Sequence, residues 1–305
     1  MKYFILILVL VLVILFFKPP NKVVYQPYNI KGYLDLKQDK NTFYTTGGIT
    51  KIIIKTSWHK RDSFPLPMID ALEQTKQLNQ DYELYYFDND EVDQFMKDIE
   101  LYDVYDQIVP GAFKADLFRI CLLYVYGGCY SDIGHIPLVS FNEICGDGNI
   151  VLVSDYKYFK MPLLPSINYE YYGIHNALMC TVPESPFFKV LIDKTVSNIV
   201  NRYYGDNDFD ITGPVMIGKM FNYYFENKYV HENLMKHGTT DYNGCKVKIL
   251  KMMYYYNSVG KTWHICDENE KKLIQTKFND YYHVMYKSGK KLTYHELWDR
   301  REVYK

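Results

Sequence analysis

Residues 111–135 read GAFKADLFRICLLYVYGGCYSDIGH, and the rest of the chain is arranged around them. Phe113, Leu117, Ile120, Cys121 and Tyr124 recur at three- and four-residue steps, the spacing of one apolar stripe on a helix. Asp116 and Arg119 stand three residues apart, on neighbouring positions of that helix, so both can act on one ligand. Gly127-Gly128 stops the helix, because glycine takes the left-handed conformation after a last turn without a Cβ penalty. Residues 129–133 follow as a short strand that delivers Asp132 at its carboxyl end. An acid–base pair, a two-glycine stop and an acidic strand end describe a site without yet naming it.

Upstream, residues 51–56 form a short β-branched run suited to a buried strand, with Trp58 just past its end. Residues 67–78 read as a helix and residues 82–87 as the next strand. Asp88-Asn89-Asp90 then caps a helix running to about Ile99. Strands alternating with helices predict an α/β layered fold with a mainly parallel central sheet. Ligands of such sheets bind beyond the carboxyl ends of the strands, where Asp132 would stand. Downstream, residues 149–153 read as a strand and residues 156–172, rich in Tyr and Pro, as a loop. A proline-led helix spans 186–200, late strands fall at 246–251 and 262–265, and a closing helix at 294–298.

The ordered set Ala115, Asp116, Leu117, Phe118, Arg119, Leu123, Tyr124, Tyr126, Gly127, Gly128, Tyr130 and Asp132 resembles the glycosyltransferase family of Och1-type mannosyltransferases and α-1,4-galactosyltransferases. That family carries a sugar-binding acidic pair called the DXD motif. Residues 50–58 resemble its opening I-P-K-I-I-H-Q-T-W element, with His and Gln replaced by Lys55 and Thr56. Asn176-Ala177, Pro186 and Thr212-Gly213-Pro214 continue the likeness, so it runs from about Thr50 to Pro214. One position departs: Gly134 stands where the second acid belongs.

The resemblance implies a GT-A-like nucleotide-sugar-binding fold and transfer of a hexose from a nucleotide-diphosphate donor to a glycan or glycoprotein acceptor, with retention of configuration. It implies catalytic roles for Asp116, Arg119 and Asp132, the first two bonding the donor sugar's hydroxyls and Asp132 the ribose or a metal. It places Thr56, Trp58, Asn176, Thr212 and Gly213 on the donor. Trp58 has two readings, stacking on the nucleotide base or packing under a loop.

A departing diphosphate develops negative charge, which a divalent cation, Mn²⁺ or Mg²⁺, neutralises by bridging phosphate oxygens. Gly134 offers no ligand, so Asp132 and His135 are the expected metal-holding residues, with His264, Asp267 and His283 as C-terminal candidates. The other reading of Gly134 is a non-catalytic, membrane-anchored carbohydrate-binding relative that has lost the metal site.

Net charge is −1, which gives no polyelectrolyte signal for a nucleic-acid partner. The 32 tyrosines fit either sugar-facing rings or a coding bias toward Tyr, Asn, Lys and Ile. Six cysteines, at 121, 129, 145, 180, 245 and 266, show no C-x-x-C spacing, which argues against zinc; Cys121 falls in the helix stripe as a buried thiol.

At the N-terminus, Met1-Lys2 precedes the apolar residues 3–17, and Lys18-Pro19-Pro20 ends them. The run is short for a spanning helix but serves a thin bilayer with snorkelling lysines. No small-residue cleavage pattern follows it. The expected organisation is a signal anchor and transmembrane segment at 1–18, a stem at 19–48 and a catalytic domain at 49–305. That makes a single-pass membrane protein with its domain lumenal, in a Golgi- or ER-like compartment; a cleaved leader is the alternative. Mass spectrometry of protein from its native membrane should find residues 1–18 attached, and a mature start near Pro19 would overturn the anchor.

Overall fold

The computed structural model describes residues 48–155, 158–159, 170–171, 173–230, 232–257, 260–285 and 292–305. The expected anchor, and the stem except for Gly48, lie outside the described residues. Among the described residues, no helix is long and apolar enough to cross a membrane.

The chain opens with β1 (Ile52–Thr56), α1 (Leu66–Leu78), β2 (Glu83–Phe87), α2 (Asn89–Asp98) and α3 (Tyr102–Tyr105). The central stretch follows as α4 (Gly111–Tyr126) and β3 (Gly128–Ser131), then β4 (Ile136–Pro137), α5 (Phe141–Cys145) and β5 (Ile150–Ser154). A small pair, β6 (Tyr158–Phe159) and β7 (Glu170–Tyr171), precedes β8 (Leu178–Thr181), α6 (Pro186–Val200) and α7 (Pro214–Glu226). The chain closes with β9 (Gly238–Tyr242), β10 (Cys245–Asn257), β11 (Gly260–Cys266), β12 (Lys272–Gln275), α8 (Tyr281–Met285) and α9 (Tyr294–Asp299).

The α/β class holds, but the sheet is mixed rather than mainly parallel. Its order is β2-β1-β3-β8-β5-β10-β11-β12-β4, with β9 also on β10. β1 is parallel to β2 and to β3, and β5 to β10, while β8 runs antiparallel to both β3 and β5. The cause lies in the connections. A parallel neighbour needs a crossover, usually a helix. Between β5 and β8 the described residues hold only the β6–β7 pair, so β8 returns antiparallel to its predecessor. β10 and β11 are separated by two residues and pair as a hairpin.

Alternation within each strand fills two cores. Ile52 and Ile54 of β1, Ile150 and Leu152 of β5 and Met179 of β8 face one side, packed against α2, α4, α6 and α7. Ile53, Val151, Val153, Leu178 and Cys180 face the other, under Phe141, Ile144 and Cys145 of α5. Both faces being covered explains why these strands read as continuous apolar runs.

α4 is central to the first core. Its burial exceeds the single stripe that the periodicity predicts: Phe118, Leu122, Leu123 and Val125 are buried as well, so the helix is apolar nearly all round. The helix ends as expected at Gly127, whose N–H donates to the Leu123 carbonyl at 2.8 Å. Its conformation is not the left-handed helical one, however. With φ 65° and ψ −152° it lies in a region open essentially to glycine alone. α2 starts with a capping box, Asp88 accepting from the Asp90 and Glu91 N–H groups while Glu91 accepts from Asp88.

At Gly128, φ is +86° and a Cβ would lie 2.2 Å from Cγ1 of Ile52 and 2.9 Å from its carbonyl oxygen. Gly111, by contrast, has open space around its Cβ position. Gly128→Ala should therefore lose at least ~3 kcal/mol of unfolding free energy, from strain and overpacking together. Gly111→Ala should be neutral or gain up to ~1 kcal/mol. Urea titrations compare the two, and equal effects would dismiss the close approach of β3 to β1.

Candidate functional site

β3 ends at Ser131, and Asp132 follows at once, at the carboxyl end of a strand lying between β1 and β8. The Asp132 N–H donates to the Ala177 carbonyl at 2.8 Å, and the His135 N–H donates back to the Asp132 carbonyl at 3.0 Å, closing a tight turn over 132–135. The Asp132 side chain is 36 % exposed.

Beneath it α4 presents Asp116 and Arg119, both buried. One Asp116 oxygen accepts from the Asn176 amide at 2.8 Å and the other from the Thr212 hydroxyl at 2.8 Å. Arg119 Nη2 lies 3.5 Å from Asp116 Oδ1, and Arg119 Nη1 lies 3.4 Å from Asp132 Oδ1. The same Nη1 donates to the Asn176 carbonyl at 2.7 Å, and Nε to the Ala115 carbonyl at 3.1 Å. The guanidinium lies over the Tyr130 ring at 4.6 Å, and the Tyr130 hydroxyl donates to Asp132 Oδ1 at 3.0 Å. Gly213, the residue before α7, sets its Cβ position 3.6 Å from Asp116 Oδ2.

Five expected positions, Asp116, Arg119, Asp132, Asn176 and Thr212, therefore form one bonded group, with Gly213 beside it. The other expectations fall around it. The Thr56 hydroxyl is spent on the Phe87 carbonyl at 2.8 Å. Trp58 is 51 % exposed and stacks on His59, with ring centroids 3.7 Å apart. His135 is buried, its Nδ1 3.1 Å from the Ser131 hydroxyl, and its ring lies 6.1 Å from that of His175. His264 is paired across strands with Met253 on β10 and Gln275 on β12.

Sequence reading missed Lys55. A lysine inside a buried apolar strand, at the position where the resemblance expects histidine, was the available signal. Its ammonium is fully buried and donates to the carbonyls of Asp132 at 3.0 Å and His135 at 3.2 Å, so it holds the turn from below. Burial pulls its pKa down to about 7, against the field of Asp132.

It also missed what surrounds Gly134. A Cβ there would lie 2.6 Å from Cε2 of Tyr281 and 3.0 Å from the Thr276 carbonyl oxygen. Ile133 packs in one cluster with Phe278 and Val284, and Tyr281 packs against it, so the C-terminal segment closes over the turn. The second-acid position has no room for a side chain.

These residues do not fit a preformed divalent-cation site. Asp132 supplies one accessible carboxylate, Gly134 supplies nothing, and the His135 ring is buried against Ser131. Among the described residues, no His, Cys, Asp or Glu cluster with converging ligand atoms includes Asp132.

Residues 65–150 match the family model described as the glycosyltransferase sugar-binding region containing a DXD motif. The match spans less than half of the chain and supports a glycosyltransferase. Its end, at residue 150, takes in α4, Asp116, Arg119 and the Asp132 turn. A solved structure, "PaToxG Glycosyltransferase", is similar at 16 % identity over 59 % of this chain and 71 % of that one, with a TM-score of 0.42. No curated protein matches the chain.

Burial pushes the Asp116 carboxyl up to about 6, although Arg119 and the bonds from Thr212 and Asn176 favour its ionised form. Arg119 stays cationic despite its burial, held by Tyr130, Asp132 and Asp116. A carboxyl whose folded pKa exceeds its unfolded value adds stability that is complete below the unfolded pKa and is lost as pH rises through the folded one. Between pH ~4 and ~6 the wild type should lose up to ~1.4 kcal/mol per pH unit relative to Asp116→Asn, about 3 kcal/mol in all. Urea unfolding at pH 4, 5, 6 and 7 reads this difference, and parallel curves would place the Asp116 pKa at its ordinary value.

Proposed function

We propose that this glycosyltransferase moves a hexose from a nucleotide-diphosphate sugar to a glycan or glycoprotein acceptor, with retention of configuration. In this reading it is held at a membrane by residues 1–18, with the domain lumenal in a Golgi- or ER-like compartment. One observation carries the proposal: a partly exposed carboxylate, Asp132, stands at a strand's carboxyl end and is tied through Arg119 to the buried Asp116–Asn176–Thr212 group.

The roles follow from exposure. Both Asp116 oxygens are engaged by protein donors, so Asp116 fixes the loops bearing Asn176 and Thr212. Arg119 and Tyr130 both meet Asp132 Oδ1, which orients that carboxylate toward a donor hydroxyl. Trp58, exposed past the end of β1, offers its ring to the nucleotide base. With one accessible carboxylate and a closed Gly134, a cation of the Mn²⁺ or Mg²⁺ kind would have to enter with the diphosphate rather than wait in the protein.

A second reading rests on Gly134. The space for a second acid is filled by Tyr281, as expected of a carbohydrate-binding relative that has abandoned catalysis.

Donor hydrolysis separates the two. Nucleotide sugars incubated with the protein, with and without Mn²⁺, should release sugar slowly to water, and Asp132→Ala should cut that release roughly a hundredfold, about 3 kcal/mol of transition-state stabilisation. Its melting temperature should fall, because buried Arg119 loses one of its two carboxylates, so release is compared at a temperature where circular dichroism shows both proteins folded. Binding of the donor without any hydrolysis or transfer would select the second reading.

A further inference from the structure

Three thiols meet on the sheet face opposite α4. Cys129 of β3 and Cys180 of β8 are direct partners across the antiparallel ladder, so their side chains leave the same face. Cys145, the last residue of α5, comes down onto them. The three sulfur atoms all lie within 4.8 Å of one another, with 3.5 Å between those of Cys129 and Cys145. All three residues are buried, and none forms a disulfide. Among the described residues, no other three His, Cys, Asp or Glu side chains bring their ligand atoms so close together. Separations of 16 and 35 residues conceal the group from any C-x-x-C search, which is why the sequence argued against zinc.

We propose that Cys129, Cys145 and Cys180 form a three-thiolate seat for a thiophilic d¹⁰ cation, Zn²⁺, distinct from the nucleotide-sugar site. Zinc–sulfur bonds of about 2.3 Å place three sulfurs roughly 3.8–4.0 Å apart around one ion. The 3.5 Å separation and the 4.8 Å limit on the other two are compatible with that spacing, so small side-chain rotations complete the seat while the β3–β8 ladder stays in register. Charge also balances. Three thiolates around a dication leave one negative charge, and Lys248 stands at the rim, its ammonium bonded to the Glu143 carbonyl at 3.2 Å and 3.7 Å from the Cβ position of Gly146. Its field reaches Cys145 and Cys180. The Tyr82 hydroxyl, which bonds Asn142 Oδ1 at 3.3 Å, borders Cys145 as a donor to a thiolate there. Binding releases the three thiol protons to solvent and changes no oxidation state. The ion would bolt α5 to the two strands that carry Asp132 and follow Asn176.

Co²⁺ titration of the reduced, tag-free full chain tests the seat. One equivalent should produce the intense near-ultraviolet sulfur-to-cobalt absorption, displaced by one equivalent of Zn²⁺ and accompanied by a higher melting temperature. Cys145→Ser should weaken Zn²⁺ binding at least a hundredfold, whereas Cys245→Ser, remote from the group, should leave it unchanged. If Cys145→Ser fails to fold, the wild-type titration still decides. Absence of the sulfur-to-cobalt band, its survival in Cys145→Ser, or isolation of the chain with a disulfide among these three would each overturn the proposal.

Discussion

The Arg119 guanidinium is the interaction on which the site depends. A buried cation is costly to desolvate and persists only where anions and carbonyls surround it. Arg119 meets Asp116, Asp132 and the carbonyls of Asn176 and Ala115, with the face of Tyr130 against it. Those partners come from α4, β3, the turn after β3 and the approach to β8. Removing the cation would leave Asp116 buried with an uncompensated charge, so one side chain fixes four segments at once.

Much of this is legible in the amino-acid sequence. The helix over residues 111–126, its glycine stop, the strands expected at 51–56 and 149–153 and found one residue later at the start, and the proline-led helix at 186–200 follow from periodicity and from the special freedoms of Gly and Pro. Strand direction was not readable. Leu178–Thr181 is a short buried run, Leu-Met-Cys-Thr, and nothing in its composition says that it turns back between β3 and β5. Direction is set by the length and nature of the preceding connection, a tertiary property.

The site divides in the same way. Asp116 and Arg119 stood out by their three-residue spacing on a helix and Asp132 by its place at a strand end, with the family resemblance giving them roles. Lys55 interrupts an apolar strand, and its position beneath the 132–135 turn emerges only when β1 pairs with β3. Gly134 was visible as a departure, but its cause was not: Tyr281 lies 147 positions further along, and no local rule connects the two. The three cysteines of the opposite face were invisible for the same reason.

The antiparallel strand β8 also imposes an order on biosynthesis. The block β2-β1-β3 is complete once residue 131 has been made, its β1–β3 pairing joining Ile53 to Cys129 across 76 positions. β5 finds its parallel partner only when β10 appears, Ile150 pairing with Val247 across 97 positions. Until then, among the described strands, β8 is the one that joins β3 to β5. A nascent chain therefore carries an open β5 edge while the remainder is synthesised, and that edge is the vulnerable surface of the growing protein.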